Sequence, residues 1–246
     1  MISEVTFSKK YTSFWNQLLP NANNFIRVIN GSLIDYVYSP IELLERKNNI
    51  AFVNELAFKL FTLIANGKMK NEDLFSSNLL HSDAFISAYN ATDKFLSKFN
   101  YNEKFETPLQ SAEVECVKLI TTNIISQYST FFSEIEVNPL FSGCGFINHS
   151  RGDIYVSGKL IEIKSGGRKF NIYDFRQVLV YCMLDFYSNN RRSIDTVELF
   201  NPRMGIIYTT KVEDLCKNLS SLQPQELFFE IKETVTDISF IESAFL

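Results

Sequence analysis

Two carboxylates and an amine stand close together in the segment GDIYVSGKLIEIK, residues 152–164: Asp153, Glu162 and Lys164. They interrupt a run of otherwise apolar residues, so filling a sheet does not account for them. A two-residue turn at Ser157-Gly158 would pair Val156 with Lys159, Tyr155 with Leu160, Ile154 with Ile161 and Asp153 with Glu162. Like charges directly opposite, with Cβ atoms about 5 Å apart, destabilise a hairpin by roughly 0.2–1 kcal/mol. Period-2 alternation places Glu162 and Lys164 on one face and Ile161 and Ile163 on the other. Such a face stabilises a strand poorly and suits a hard divalent cation, which takes carboxylate and water oxygens and needs only one or two carboxylates from the protein. A water bound to that cation is a strong nucleophile, and Lys164 is placed to orient it or to steady charge on a phosphate under attack. The plain alternative is a solvated edge hairpin with a surface ion pair of little worth.

A second constellation follows. Thirteen residues beyond Lys164, RQVLVY puts Gln177 and Tyr181 four apart, on one face of a helix. The D…E-x-K spacing followed by Q-x-x-x-Y resembles the PD-(D/E)XK nuclease superfamily, in its RecB-like branch. The Gly-rich FSGCGFINHSRGD and the later LFNPRMG are similar to loops and strands of small RecB-like nucleases, including those of prokaryotic anti-phage defence and mobile elements. One departure is Gly152 in place of a proline before Asp153. The resemblance covers about residues 110–220. It implies an α/β fold with a restriction-endonuclease-like mixed sheet core flanked by helices, cutting phosphodiester bonds to a 5′-phosphate and a 3′-hydroxyl.

In that pattern Mg²⁺ or Mn²⁺ is held by Asp153, Glu162 and the Ile163 carbonyl, Lys164 positions the attacking water, and Gln177 and Tyr181 support the site. Members often add an acid from the helix before the strands. Glu113 shares a helical face with Cys116, Val117, Ile120 and Ile124, whereas Glu115 points nearly opposite, so Glu113 is the expected further catalytic and metal-binding acid. Arg168, Lys169, Arg176 and Arg203 are candidates for phosphate contacts. DNA is the expected substrate over RNA, although no module reading 2′-hydroxyls separates the two. The rival reading is a binding subunit that does not cut; an RNA-directed nuclease is the second rival.

The elements that must position these residues can be read from periodicity. Residues 1–108 read as a mainly helical N-terminal domain: PIELLERKNNIAFVNELAFKLFTLIANGK and SDAFISAYNATDKFLSKF carry apolar residues at helical spacing, the second capped by Ser82 or Asp83. NYNEKFETPLQSAE, with Pro108, marks a boundary ahead of a helix from Ser111 to Tyr128. Residues 109–220 then give SEIEVNPLF, DIYV and KLIEIK as strands, IYDFRQVLVYCMLDFYS as a helix, DTVELF and GIIYTT as strands, and VEDLCKNL as a short helix. Residues 221–246 form a C-terminal extension that alternates ambiguously.

Composition sets the outer bounds. The 246 residues are 46% hydrophobic and 21% charged, ordinary for a globular chain. No apolar run approaches a membrane span and the start MISEVTFSKK has no h-region, so a cytoplasmic protein is expected. Cys116, Cys144, Cys182 and Cys216 form no C-x-x-C pair, and with only His81 and His149 there is neither zinc spacing nor a disulfide framework. No histidine is placed to activate Cys144 as a nucleophile, and His149 is read as a loop residue. The formal charge of −4 hides an asymmetry: residues 151–211 carry ten Lys/Arg against six Asp/Glu. The acidic remainder favours a protein partner over DNA for the N-terminal part. Oligomeric state is open, a homodimer included.

Overall fold

The computed structural model describes residues 1–98 and 105–237. Its helices are α1 (Glu4–Lys9), α2 (Thr12–Leu18), α3 (Ala22–Val28), α4 (Ile50–Ala65), α5 (Asp83–Leu96), α6 (Ser111–Tyr128), α7 (Ile172–Phe186), α8 (Val212–Ser220) and α9 (Pro224–Thr236). The strands are β1 (Asp35–Tyr36), β2 (Glu136–Val137), β3 (Leu140–Phe141), β4 (Ser150–Arg151), β5 (Ile154–Val156), β6 (Lys159–Ile163), β7 (Thr196–Asn201) and β8 (Ile206–Lys211). The class is mixed α/β. A six-stranded sheet runs in the order β1-β8-β7-β6-β5-β2, and β3 pairs with β4 apart from it. All neighbours in the large sheet are antiparallel except β6 and β7. Parallel neighbours need a long crossover, and α7 is that crossover.

Alternation along the strands divides the apolar residues between two layers. Leu160, Val197 and Leu199 face a core built with α7, α8, α9 and the first three helices. Ile154, Ile161 and Phe200 face the opposite core, built with α4, α5 and α6. With both faces covered, the central strands are buried along nearly their whole length.

The boundary expected near residue 108 does not divide the packing. Phe7, Trp15, Phe25 and Ile29 of the N-terminal segment lie in the same core as Leu179 and Val180 of α7. α4 packs against α6, and β1 extends the sheet beside β8. The N-terminal residues thus belong to both layers rather than to a domain of their own. The ambiguous tail is likewise part of the fold up to Thr236, because Leu227, Phe228, Ile231 and Val235 of α9 close the α7 side. Residue 99 at the end of the second expected helix, residues 100–104 of the expected boundary and residues 238–246 of the extension lie outside the described residues.

Several local expectations hold closely. α6 spans Ser111–Tyr128, and Ser82 caps α5 by accepting from the Phe85 N–H at 3.2 Å. The helix expected from residue 40 begins only at Ile50. Before it the chain runs along the end of the sheet, where Val37 N–H donates to the Gly205 carbonyl and Ile41 N–H to the Arg203 carbonyl. Among the described residues no helix is long and apolar enough to cross a membrane.

Candidate active site

The hairpin that carries the acids forms in the expected register, Ile154 opposite Ile161, Tyr155 opposite Leu160 and Val156 opposite Lys159. Ser157 and Gly158 both take positive φ, 47° and 85°, the backbone a tight two-residue connection requires. Asp153 lies one residue before β5, half-buried, and its Oδ2 accepts from the Ile163 N–H at 2.7 Å. This bond ties the acid to the end of β6. Glu162 is 4% exposed. Its Oε1 accepts from Lys164 Nζ at 2.9 Å, while its Oε2 is buried with no hydrogen-bond partner.

α7 reaches the hairpin through the two residues singled out by spacing. Lys164 Nζ donates to Gln177 Oε1 at 2.6 Å, and Gln177 Nε2 donates to the Tyr181 hydroxyl at 2.9 Å. The Tyr181 hydroxyl has two acceptors, the Arg151 carbonyl at 2.8 Å and Glu4 Oε1 at 3.0 Å. Its ring stacks on Phe141, centroids 5.2 Å apart. Asn171 starts α7, its Oδ1 accepting from the Tyr173 and Asp174 N–H groups, which sets the angle at which Gln177 meets the sheet.

Burial and mutual repulsion make this a site of displaced protonation. Burial first, then the charge of Glu162, pushes the Asp153 carboxyl well above the usual range. Burial also pushes Glu162 up, against the opposing pull of Lys164. Burial disfavours the Lys164 ammonium, but Glu162, Asp174 and Asp153 together outweigh it and raise its pKa. Two acids that resist ionisation beside a fixed ammonium gain from a second positive charge.

The orphaned Glu162 oxygen and the neighbouring Asp153 fit a hard cation bound through oxygen. Among the described residues no three Asp, Glu, His or Cys side chains are grouped so as to hold a metal by themselves. A cation here would rest on two carboxylates, with the Ile163 carbonyl and water making up its shell. Beside Lys164 and Gln177 opens a cavity of about 170 Å³ walled by Ser8, Lys9, Arg168 and Tyr173.

Other residues expected at the site are placed elsewhere. Glu113 is fully buried, as its helical face required, but it caps α6 by accepting from the Gln110 N–H at 2.7 Å and is held by Arg46 at 2.7 Å and Asn49 at 2.9 Å. Its carboxylate locks the segment before α4 onto α6 and, among the described residues, shares no hydrogen-bond partner with Asp153 or Glu162. Arg203 is 1% exposed, ion-paired with Glu45 and bonded to Asn54 at 2.9 Å and the Ser165 carbonyl at 2.9 Å. It is a buried strut behind the site and not a phosphate contact. Arg176 is also buried, lying over Trp15 and Tyr173 and reaching the Ser8 carbonyl at 3.3 Å, so it fastens α1 and α2 to α7.

Arg168 does stand at the cavity mouth, half-exposed and paired twice with Asp174 at 2.7 and 2.9 Å. Lys169 donates to the Asn30 carbonyl at 2.8 Å and lies over Tyr36. His149 accepts from the Gly143 N–H at 3.3 Å as a loop residue. The four thiols are free, three of them buried.

The residue missed by sequence reasoning is Glu4. Ser3 caps α1 and marks a helix start, but nothing local shows that this acid meets Tyr181, 177 positions away. Compared with family models, curated proteins and solved structures, the chain matches none.

Proposed function

We propose that the protein is a metal-dependent nuclease of the PD-(D/E)XK kind, hydrolysing phosphodiester bonds with Mg²⁺ or Mn²⁺, and that DNA is its substrate. The observation that carries this reading is the buried, unpartnered Oε2 of Glu162 beside Asp153, with Lys164 held at 2.9 Å from Glu162 and 2.6 Å from Gln177. Burying an acceptor oxygen without a partner is unfavourable, and a bound cation would satisfy it. The order of α6, β2, β5, β6, α7 and β7 in a mixed sheet supports the same assignment, and a restriction-endonuclease-like core is part of the proposal.

Asp153, Glu162 and the Ile163 carbonyl would hold the cation, which when bound supplies an activated water and charge neutralisation at the phosphate. Lys164 keeps one direction fixed through Glu162 and Gln177 and presents its remaining proton toward the water or the developing negative charge. Gln177 and Tyr181 restrain that amine, and Arg168 at the cavity mouth meets the phosphate backbone. A role in prokaryotic defence belongs to this proposal as well.

The test is cleavage of labelled single- and double-stranded DNA and RNA with Mg²⁺, Mn²⁺ or EDTA, beside a Lys164→Ala variant. Metal-dependent cutting of DNA that the variant loses supports the reading. Intact substrates, together with no Mn²⁺ binding that depends on Asp153 and Glu162, overturn it. Metal-independent retention of DNA without cutting would instead favour the binding subunit.

A further inference from the structure

Glu4 is a buried carboxyl that forms no ion pair among the described residues. It is 9% exposed, and among the described residues the one hydrogen bond to its side chain comes from the Tyr181 hydroxyl at 3.0 Å. Burying an acid without a cation is unfavourable, and α1 contributes Phe7 to the apolar core shared with α7. Its partner, however, is the end of a chain of hydrogen bonds whose direction is dictated from the other end.

Lys164 has only protons to give, so Gln177 must turn Oε1 toward it. Nε2 then faces Tyr181 and donates, the Tyr181 oxygen accepts, and the single hydroxyl proton is left for Glu4 or for the Arg151 carbonyl. A carboxylate is the stronger acceptor of the two. With Glu4 taking that proton, at 3.0 Å against 2.8 Å for the Arg151 carbonyl, every link runs one way, Lys164 to Gln177 to Tyr181 to Glu4.

We propose that Glu4 is a positioning residue of the candidate site: by accepting the Tyr181 proton it holds the Gln177 amide in the orientation that receives Lys164 Nζ, and makes α1 a working part of the site. Its effect on catalysis rests on the nuclease reading. Its effect on the Gln177 amide does not.

The experiment uses the full chain carrying Glu4→Gln or Glu4→Leu, each alone and combined with Tyr181→Phe. Thermal unfolding, kcat and KM on a labelled DNA oligonucleotide with Mg²⁺, and the ¹⁵N–¹H signals of the Gln177 side-chain amide, identified by their loss in Gln177→Glu, are measured for each. Glu4→Leu is expected to keep or raise Tm and to leave KM within about two-fold while kcat falls about 10–100-fold. Glu4→Gln, which retains an acceptor oxygen, recovers most of that loss. In the Tyr181→Phe background Glu4→Leu has no further effect, and in Glu4→Leu alone the Gln177 amide signals shift or broaden. Additive losses with Tyr181→Phe, a Tm that falls along with kcat, or unmoved amide signals overturn the proposal. If the wild type cuts nothing, the nuclease reading fails and the amide signals alone decide: shifted in Glu4→Leu they support the role of Glu4, unmoved they end it.

Discussion

Glu113 and Asp153 are acids whose surroundings push them in opposite directions. Burial works against the Glu113 carboxylate, but Arg46, the Gln110 and Arg46 N–H groups and Asn49 hold its pKa down at about 2. The stability it contributes is present above the unfolded value near 4.3 and is lost as pH falls through about 2. Glu113→Gln is expected to cost about 1–3 kcal/mol in urea unfolding at neutral pH, with the difference from wild type closing in strong acid. Asp153 has the reverse sign: its folded pKa is raised by burial and by Glu162, so metal-free stability is greatest below the unfolded value and declines as pH rises through the folded one. Metal-free Asp153→Asn should therefore match or exceed wild-type stability at neutral pH, by about 1 kcal/mol, and converge with it in acid. Under the nuclease reading, added Mn²⁺ should raise the Tm of the wild type and leave that of Asp153→Asn unmoved, measured by calorimetric scans with and without the ion.

At the scale of elements, two arginines near the site illustrate how placement decides role. Arg203 joins the segment before α4, α4 itself through Asn54, and the Ser165 carbonyl that directly follows Lys164. Removing it leaves Glu45 buried without its cation, so Arg203→Ala is expected to lose about 3–5 kcal/mol of stability, read by chemical unfolding. Arg168 pairs with Asp174 at the start of α7 with half its side chain in solvent. Arg168→Ala should cost under about 1 kcal/mol of stability. Under the nuclease reading it also weakens DNA binding and flattens its salt dependence by close to one ion, measured by anisotropy over a salt series.

For the molecule as a whole, the site is assembled from segments that a linear division would separate. Glu4 comes from α1, Asp153 and Glu162 from the hairpin, Gln177 and Tyr181 from α7, and α9 closes the layer behind α7. A fragment of residues 109–220 lacks the first three helices, β1, α4, α5 and α9, and is expected to show neither a cooperative unfolding transition nor protected amides by hydrogen exchange. The hairpin register, the bounds of α6, the Ser82 cap and the strand–helix–strand order of β6, α7 and β7 were legible from residue order, because turn chemistry and periods of 2 and 3.6 are local properties. The convergence of Glu162, Lys164, Gln177 and Tyr181 was implied by the resemblance, and a hairpin and its following helix, neighbours along the chain, bring it about. The assignment of the remaining buried charges was not legible. Periodicity showed that Glu113 points inward, but not that Arg46, 67 positions away, would be waiting there, nor that Arg203 would find Glu45 across 158 positions. A charge signals that it needs a partner, and only the packing of distant segments chooses which one; the tertiary structure alone brought Glu4, and not Glu113, to the hydroxyl of Tyr181.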